Sequence, residues 1–205
     1  MKRCVIVAGG DYAPIAPLEA GDFILACDRG YVHTQREGLT PDLLMGDFDS
    51  YDGALPEDVP VERFPVEKDD TDTMLAIRWA AAHGFEAVRI CCGFGGRFDH
   101  TLANIQSLHF AVRAGMEAAM DDERTTVRVL LPGEYRVPCH EGWTLSVFAL
   151  TDRCENLRIH GTKYEAEGVT LTNAFPLGVS NAFRGDARLA FDSGVLCLVC
   201  ARLEA

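Results

Sequence analysis

Apolar positions along this 205-residue chain fall into two regimes. In the first, continuous apolar runs at Cys4 to Ala8, Phe23 to Cys27, Leu43 to Met45 and Ala87 to Cys92 alternate with helically spaced stretches at Tyr31 to Glu37, Thr73 to His83 and Thr101 to Arg113. Unbroken runs of this length suit strands buried on both faces, and their alternation with helices predicts a mostly parallel sheet covered by helices. The Thr73 helix has Thr71 or Asp72 to cap it, Met74, Leu75, Ile77 and Trp79 as its apolar surface, and Gly84 to stop it. The next helix has Asp99 at its start, Leu102, Ile105, Leu108 and Val112 at helical spacing, and Gly115 at its end.

After about residue 120 the helical period disappears. Strand-like runs follow at Thr126 to Leu131, Trp143 to Leu150, Glu155 to His160, Val169 to Thr172, Ala187 to Phe191 and Val195 to Arg202, separated by Pro-Gly, Glu-Gly, His-Gly and Ser-Gly turns. Short strands at such spacing predict an antiparallel sandwich or barrel-like module. The polar stretch Asp121 to Thr125 marks the boundary between the regimes.

Composition narrows the function. Hydrophobic residues make up 48% of the chain, enough for a packed core. The balance of 19 basic against 31 acidic residues leaves a net charge of -12, which argues against nonspecific binding to nucleic acid or anionic lipid. Any anionic substrate then needs a metal or a few placed cations. The apolar run after Met1-Lys2-Arg3 is too short for a signal peptide, and no run approaches the ~20 residues that span a bilayer, so a cytoplasmic protein is expected. Of eight cysteines, Cys4, Cys27, Cys91 and Cys92 lie in apolar runs and are expected to be reduced core residues. Cys197 and Cys200 form a CxxC, but within a strand-like run two residues three apart point to opposite faces, and no second pair accompanies them to complete a zinc site.

Chemistry gathers at the predicted strand ends. Cys27-Asp28-Arg29-Gly30, Gly46-Asp47-Phe48-Asp49-Ser50 and Gly93-Phe94-Gly95-Gly96 each follow a strand, the side of an open parallel sheet where ligands bind. Asp47 and Asp49, two apart, reach one ion if the backbone between them is extended, and their hard oxygens suit Mg²⁺. Lys68-Asp69-Asp70-Thr71-Asp72 is a denser acidic signature at a helix start. The macrodipole favours its carboxylates, whereas Lys68 suits a phosphate oxygen. The glycine loop lacks the Gly-Lys-Ser/Thr of a P-loop, yet it is followed by Arg97, a cation for phosphate, and Asp99, a carboxylate for metal or substrate. His100 is either a general base or a hydrogen-bonded helix-start residue, and the other histidines form no ligand spacing.

Taken in order, Gly46-Asp47-Phe48-Asp49-Ser50, Lys68-Asp69-Asp70-Thr71-Asp72, Arg97-Phe98-Asp99-His100 and Gly178-Val179-Ser180-Asn181 resemble the thiamine pyrophosphokinase family, bacterial type, over nearly the whole chain. The resemblance implies an α/β fold class: a Rossmann-like three-layer domain with a mostly parallel sheet over residues 1–122, binding ATP, and an all-β sandwich over residues 123–205, binding thiamine and dimerising. It implies a homodimer with active sites at the subunit interface, Mg²⁺, and transfer of the pyrophosphoryl group of ATP to thiamine, giving thiamine diphosphate and AMP. By motif, Asp47, Asp49 and Asp72 hold the metal, with Lys68 and Asp99 in the same catalytic centre. Asp28, Gly30, Asp47, Lys68, Thr71, Arg97 and Asn104 line the nucleotide side, and Ser180 and Asn181 lie near thiamine. The run Phe191 to Leu198 lacks the tryptophan that some members stack on thiamine.

Two rivals share parts of this pattern. A phosphohydrolase with an aspartyl nucleophile also uses DxD, but its first Asp follows the first strand, whereas Asp47 follows the third. A nucleotide- or thiamine-binding regulatory module would bind without forming AMP.

Overall fold

The structure, a computed structural model, describes residues 1–15, 17–48, 51, 53–64 and 70–203. The chain divides into two compact units, Met1–Glu123 and Arg124–Ala205.

Among the described residues the first unit is a six-stranded parallel sheet with three helices. Its elements are β1 (Arg3–Val7), β2 (Phe23–Cys27), α1 (Gly30–Arg36), β3 (Leu43–Gly46), β4 (Val61–Arg63), α2 (Asp72–Ala82), β5 (Ala87–Cys91), α3 (Phe98–Arg113) and β6 (Glu117–Asp121). The strands lie in the order β4-β3-β2-β1-β5-β6, every neighbouring pair parallel. The chain moves outward from β1 to β4, then returns through α2 to place β5 on the other side of β1. That reversal makes the β1/β5 boundary the topological switch point of the sheet. One sheet face, with Val7, Ile24, Ala26 and Leu44, packs against Tyr31 of α1 and the loop residues Phe48 and Val59. On the other face lies α2: Phe23 stacks on Trp79 at 5.3 Å, and the Cys27 thiol reaches the Asp72 carbonyl.

The helices occupy the expected stretches, but they turn other residues inward than their largest side chains suggest. In α2 the buried stripe is Thr73, Ala76, Ile77 and Ala80, while Met74, Leu75 and Trp79 are half-buried. Small residues let this helix lie close to the sheet and to α3. In α3 the stripe is Asn104, Ser107, Leu108, Ala111 and Val112, and Leu102 is 49% exposed. Thr71 is the N-cap of α2, its hydroxyl accepting the Met74 N–H at 3.2 Å.

The second unit is antiparallel and rich in strands: β7 (Thr125–Leu130), β8 (Gly133–Val137), β9 (Trp143–Ala149), β10 (Arg153–Thr162), β11 (Ala166–Thr172), β12 (Asn181–Phe191) and β13 (Leu196–Arg202). β13 lies between β7 and β9, and β10 lies between β11 and β12. β12 takes part in both groups, starting beside β9 at Asn181 and Ala182 and then running between β10 and β8. Leu145, Val147, Leu196, Leu198 and Cys200 of one group meet Leu157, Ile159, Leu189 and Phe191 of the other in a single core. Cys200 belongs to that core while Cys197 does not, as expected for opposite faces of one strand. All eight cysteines are unpaired. Among the described residues no helix is long and apolar enough to cross a membrane.

Candidate active site

The carboxyl ends of β2 and β3 meet at Asp28. Its N–H continues the parallel ladder by donating to the Met45 carbonyl at 3.0 Å, and its backbone then turns left-handed at φ +43°. That turn carries the carboxylate back over β3, where Oδ1 accepts the Phe48 N–H at 3.1 Å. The space it enters is the space Gly46 leaves open. At φ +150° a Cβ on Gly46 would stand 1.8 Å from Asp28 Oδ1, so this glycine is required by its neighbour's carboxylate as well as by its own backbone. Phe48 is itself left-handed at φ +57° and buried, anchoring the segment in the core while Asp47 stays half-exposed. The extended backbone that would align Asp47 with Asp49 is therefore not adopted at Phe48. Asp49 itself, like Lys68, lies outside the described residues.

Asp72, in the first turn of α2, completes a group of carboxyls. Its side chain hydrogen-bonds that of Asp28, and the charges of Asp72 and Asp47 both act on Asp28. The Asp28 carboxyl is pushed up from 3.8 to about 7, first by burial and next by the hydrogen bond its protonated form donates to Asp72, against the opposing pull of the Phe48 N–H. Two carboxyls this close hold one proton between them until a cation replaces it. Among the described residues no three His, Cys, Asp or Glu side chains enclose an ion by themselves. Mg²⁺ does not demand such a cage: it takes one or two carboxylates and fills its octahedron with water and substrate phosphate oxygens. The all-oxygen donor set of Asp28, Asp47 and Asp72 fits that pattern.

At the switch point the loops after β1 and β5 lie backbone to backbone. Gly10 N–H donates to the Cys92 carbonyl at 2.9 Å, and Asp11 N–H to the Phe94 carbonyl at 2.8 Å. A Cβ on Gly10 would come within 2.4 Å of the Phe94 oxygen, and one on Gly95 within 2.1 Å of Asp11 Oδ2. Buried Asn104 fixes the same loop from α3, its Nδ2 donating to the Gly93 carbonyl at 2.8 Å. Buried His33 fixes the other side, its Nε2 donating to the Gly10 carbonyl at 3.0 Å. Gly30 is buried where α1 begins, and a Cβ there would meet the Val7 carbonyl oxygen at 2.0 Å. Gly9-Gly10-Asp11 and His33 were not singled out from the sequence. The glycine doublet closing the first apolar run was the available signal.

Arg97 and Asp99 occupy the start of α3 as an exposed ion pair, Nη2 to Oδ2 at 2.6 Å. The Arg97 guanidinium holds the Asp99 carboxyl below its ordinary value, aided by the His100 backbone N–H and imidazole. His100 is exposed.

In the second unit, Ser180 is exposed and left-handed at φ +56°, its N–H donating to Ser146 Oγ at 2.9 Å. Asn181 is buried and fully engaged. Its Oδ1 accepts the Tyr164 N–H at 3.0 Å, while Nδ2 donates to Thr162 Oγ1 at 3.0 Å and to the Tyr164 carbonyl at 2.6 Å.

Comparison with known proteins accords with this arrangement. The family model for the catalytic domain of thiamin pyrophosphokinase matches residues 17–120, and that for its vitamin B1 binding domain matches residues 134–196. The chain is 28% identical to the thiamine pyrophosphokinase of Bacillus subtilis, over 97% of this chain and 98% of the relative. A crystal structure of the Bacillus subtilis enzyme superimposes with a TM-score of 0.89 at 27% identity, covering 98% of this chain and 99% of that one. A thiamin pyrophosphokinase family protein from Enterococcus faecalis superimposes with a TM-score of 0.82 at 28% identity, covering 98% and 100%.

Proposed function

The chain belongs to the thiamin pyrophosphokinase family, and from that premise we propose that Asp28, Asp47 and Asp72 form the centre at which it makes thiamine diphosphate from thiamine and ATP. The observation that carries this reading is the contact of the Asp28 and Asp72 carboxyls, with Asp47 alongside, at the ends of parallel strands. In our reading residues 1–122 are a Rossmann-like three-layer ATP-binding domain, and residues 123–205 are a β-sandwich that binds thiamine and dimerises, with active sites at the subunit interface. The switch-point topology and the separate match to a vitamin B1 binding domain support that division. A cytoplasmic location fits eight unpaired cysteines.

Asp47, Asp49 and Asp72 would hold Mg²⁺, with Asp28 pressing on the same group. When bound, the ion neutralises polyphosphate charge and orients it. The thiamine hydroxyl oxygen forms a bond to the β-phosphorus of ATP, the bond from that phosphorus to the α-bridging oxygen breaks, and AMP leaves. The hydroxyl proton passes to a carboxylate of the centre. Lys68 and Arg97 offset charge on the transferred oxygens, with Asp99 orienting the Arg97 guanidinium through their ion pair. Asn104 acts on the nucleotide side by fixing the Gly93 loop, Gly30 by letting α1 approach β1, and Thr71 by setting the first turn of α2. Ser180 contacts thiamine, and Asn181 holds the segment that presents it.

Purified protein given ATP, Mg²⁺ and thiamine should form AMP and thiamine diphosphate in equal amounts. Asp47→Asn and Asp72→Asn should each lower kcat by roughly 100-fold or more, the scale of losing an electrostatic group at the reacting centre, with an unchanged circular dichroism spectrum. Near wild-type turnover in both variants would sink the assignment, and inorganic phosphate without AMP would indicate hydrolysis instead.

A further inference from the structure

The outward face of the β8-β12-β10 group carries two arginines, with a histidine beside them, that the strand register forces together. Arg136 of β8 stands directly opposite Arg188 of β12, and Arg188 directly opposite His160 of β10. In the next row Glu134, Ala190 and Arg158 are opposite one another in the same order. Side chains so placed have Cβ atoms about 5 Å apart, a spacing at which like charges oppose folding. The small Ala190 between long neighbours leaves a groove of about 380 Å³, lined by these residues.

The chain neutralises this row only at its edges. Asp186 pairs with Arg136, its Oδ2 accepting from Nε at 2.8 Å, and Asp192 Oδ1 lies 3.3 Å from Nη2 of Arg158. His160 Nε2 is 2.9 Å from Glu167 Oε1, with Glu165 also in reach of the ring. The central Arg188 is exposed and has no carboxylate partner among the described residues. A cationic row is conspicuous in a protein of net charge -12, where carboxylates are plentiful.

We propose that this groove is a binding site for a small phosphate-bearing anion, held by Arg188 at the centre with Arg136 and Arg158 on either side. A carboxylate presents two oxygens in one plane and satisfies one guanidinium, as Asp186 and Asp192 already do at the rim. Guanidinium groups arriving from three strands need acceptors in several directions, which the tetrahedral oxygens of phosphate or diphosphate supply. The groove volume lies within the range of small-ligand sites. The site is separate in chemistry from the acidic centre of the first unit, since it binds an anion without a metal.

Isothermal titration with inorganic pyrophosphate in EDTA tests this, because chelation leaves the acidic centre repelling the anion. Saturable binding is expected, weakened at least tenfold in Arg188→Ala and in Arg158→Ala, with kcat for thiamine diphosphate formation in Arg188→Ala within twofold of wild type. Amide hydrogen exchange should show protection by pyrophosphate confined to β8, β10 and β12. Orthophosphate should compete, and malonate should not. Equal affinity in wild type and Arg188→Ala overturns the proposal, as does malonate binding as tightly as pyrophosphate. A change of oligomeric state in Arg188→Ala with pyrophosphate affinity unaltered also overturns it, assigning the face to contact with a second copy.

Discussion

In the first unit, left-handed backbone at residues other than glycine falls at Asp28, Phe48 and Cys92, each just past the end of a parallel strand. In the second it falls at Asn156, within β10 where the pairing with β11 shifts register, and at Ser180, just before β12. Asn adopts this conformation at small cost, whereas Phe48 and Cys92 do not, and such residues cost on the order of 1–3 kcal/mol each. The first unit therefore holds strain where its carboxylates gather, and the burial of Phe48 and Cys92 in the core holds it in place. The second unit keeps its polar side chains in satisfied hydrogen bonds, as at Asn181, and in charged rows on an outer face. The first unit thus collects strained backbone at buried strand ends beside its carboxylates, whereas the second confines left-handed residues other than glycine to Asn156 and exposed Ser180.

Substitutions can break this contrast, and the largest effect should come from the first unit. Gly46→Ala drives a methyl into Asp28 Oδ1 and should cost about 3 kcal/mol or more, with loss of turnover, measured by urea denaturation alongside the AMP assay. Asn181→Ala leaves the Tyr164 N–H without its acceptor, while the Tyr164 carbonyl keeps the Thr162 hydroxyl, and should cost about 2 kcal/mol in the second unit. Each unit has one tryptophan, Trp79 in α2 and Trp143 in β9, so Trp79→Phe leaves fluorescence reporting the second unit alone.

Asp28 sharpens the contrast by pH. Because its folded pKa is raised from 3.8 to about 7, folding favours the protonated form. The contribution is fully present below about pH 4 and is lost as pH rises through about 7, so the metal-free protein should be less stable at pH 8 than at pH 5 on this account. Allowing for solvent screening of a half-exposed group, the difference should be ~1–2 kcal/mol. Asp28→Asn should flatten that part of a Tm-against-pH profile, and an unchanged slope would refute the raised pKa. The smallest effect should come from Thr71→Ala, which removes the cap of α2 and should cost about 1 kcal/mol by thermal unfolding.

Much of the first unit was legible because β1, β2, β3 and β5 are buried on both faces and read as unbroken apolar runs. β4 and β6 escaped notice, since Val61–Arg63 and Glu117–Asp121 mix charged residues with few large apolar ones. β8 and the first half of β12 were missed for a related reason: Glu134, Arg136, Arg184 and Asp186 face solvent and mask the inward residues. At the candidate site, the acidic motifs pointed to Asp47 and Asp72, whose charges both act on Asp28. The contact of Asp28 with Asp72 was not visible, because it depends on the alignment of β2 with β3 and on where α2 begins. The engagement of Asn181 was hidden likewise, since the backbone groups it bonds belong to the segment after β10.

β12 gives the second unit a mechanical character of its own. Because its first residues zip to β9 and the rest lies between β10 and β8, one continuous stretch of backbone is the seam of both strand groups. Peeling either group away pulls on the same stretch, so a proteolytic nick near Gly185 would sever both at once, and amide protons in β9 and β10 should exchange with a common opening rate.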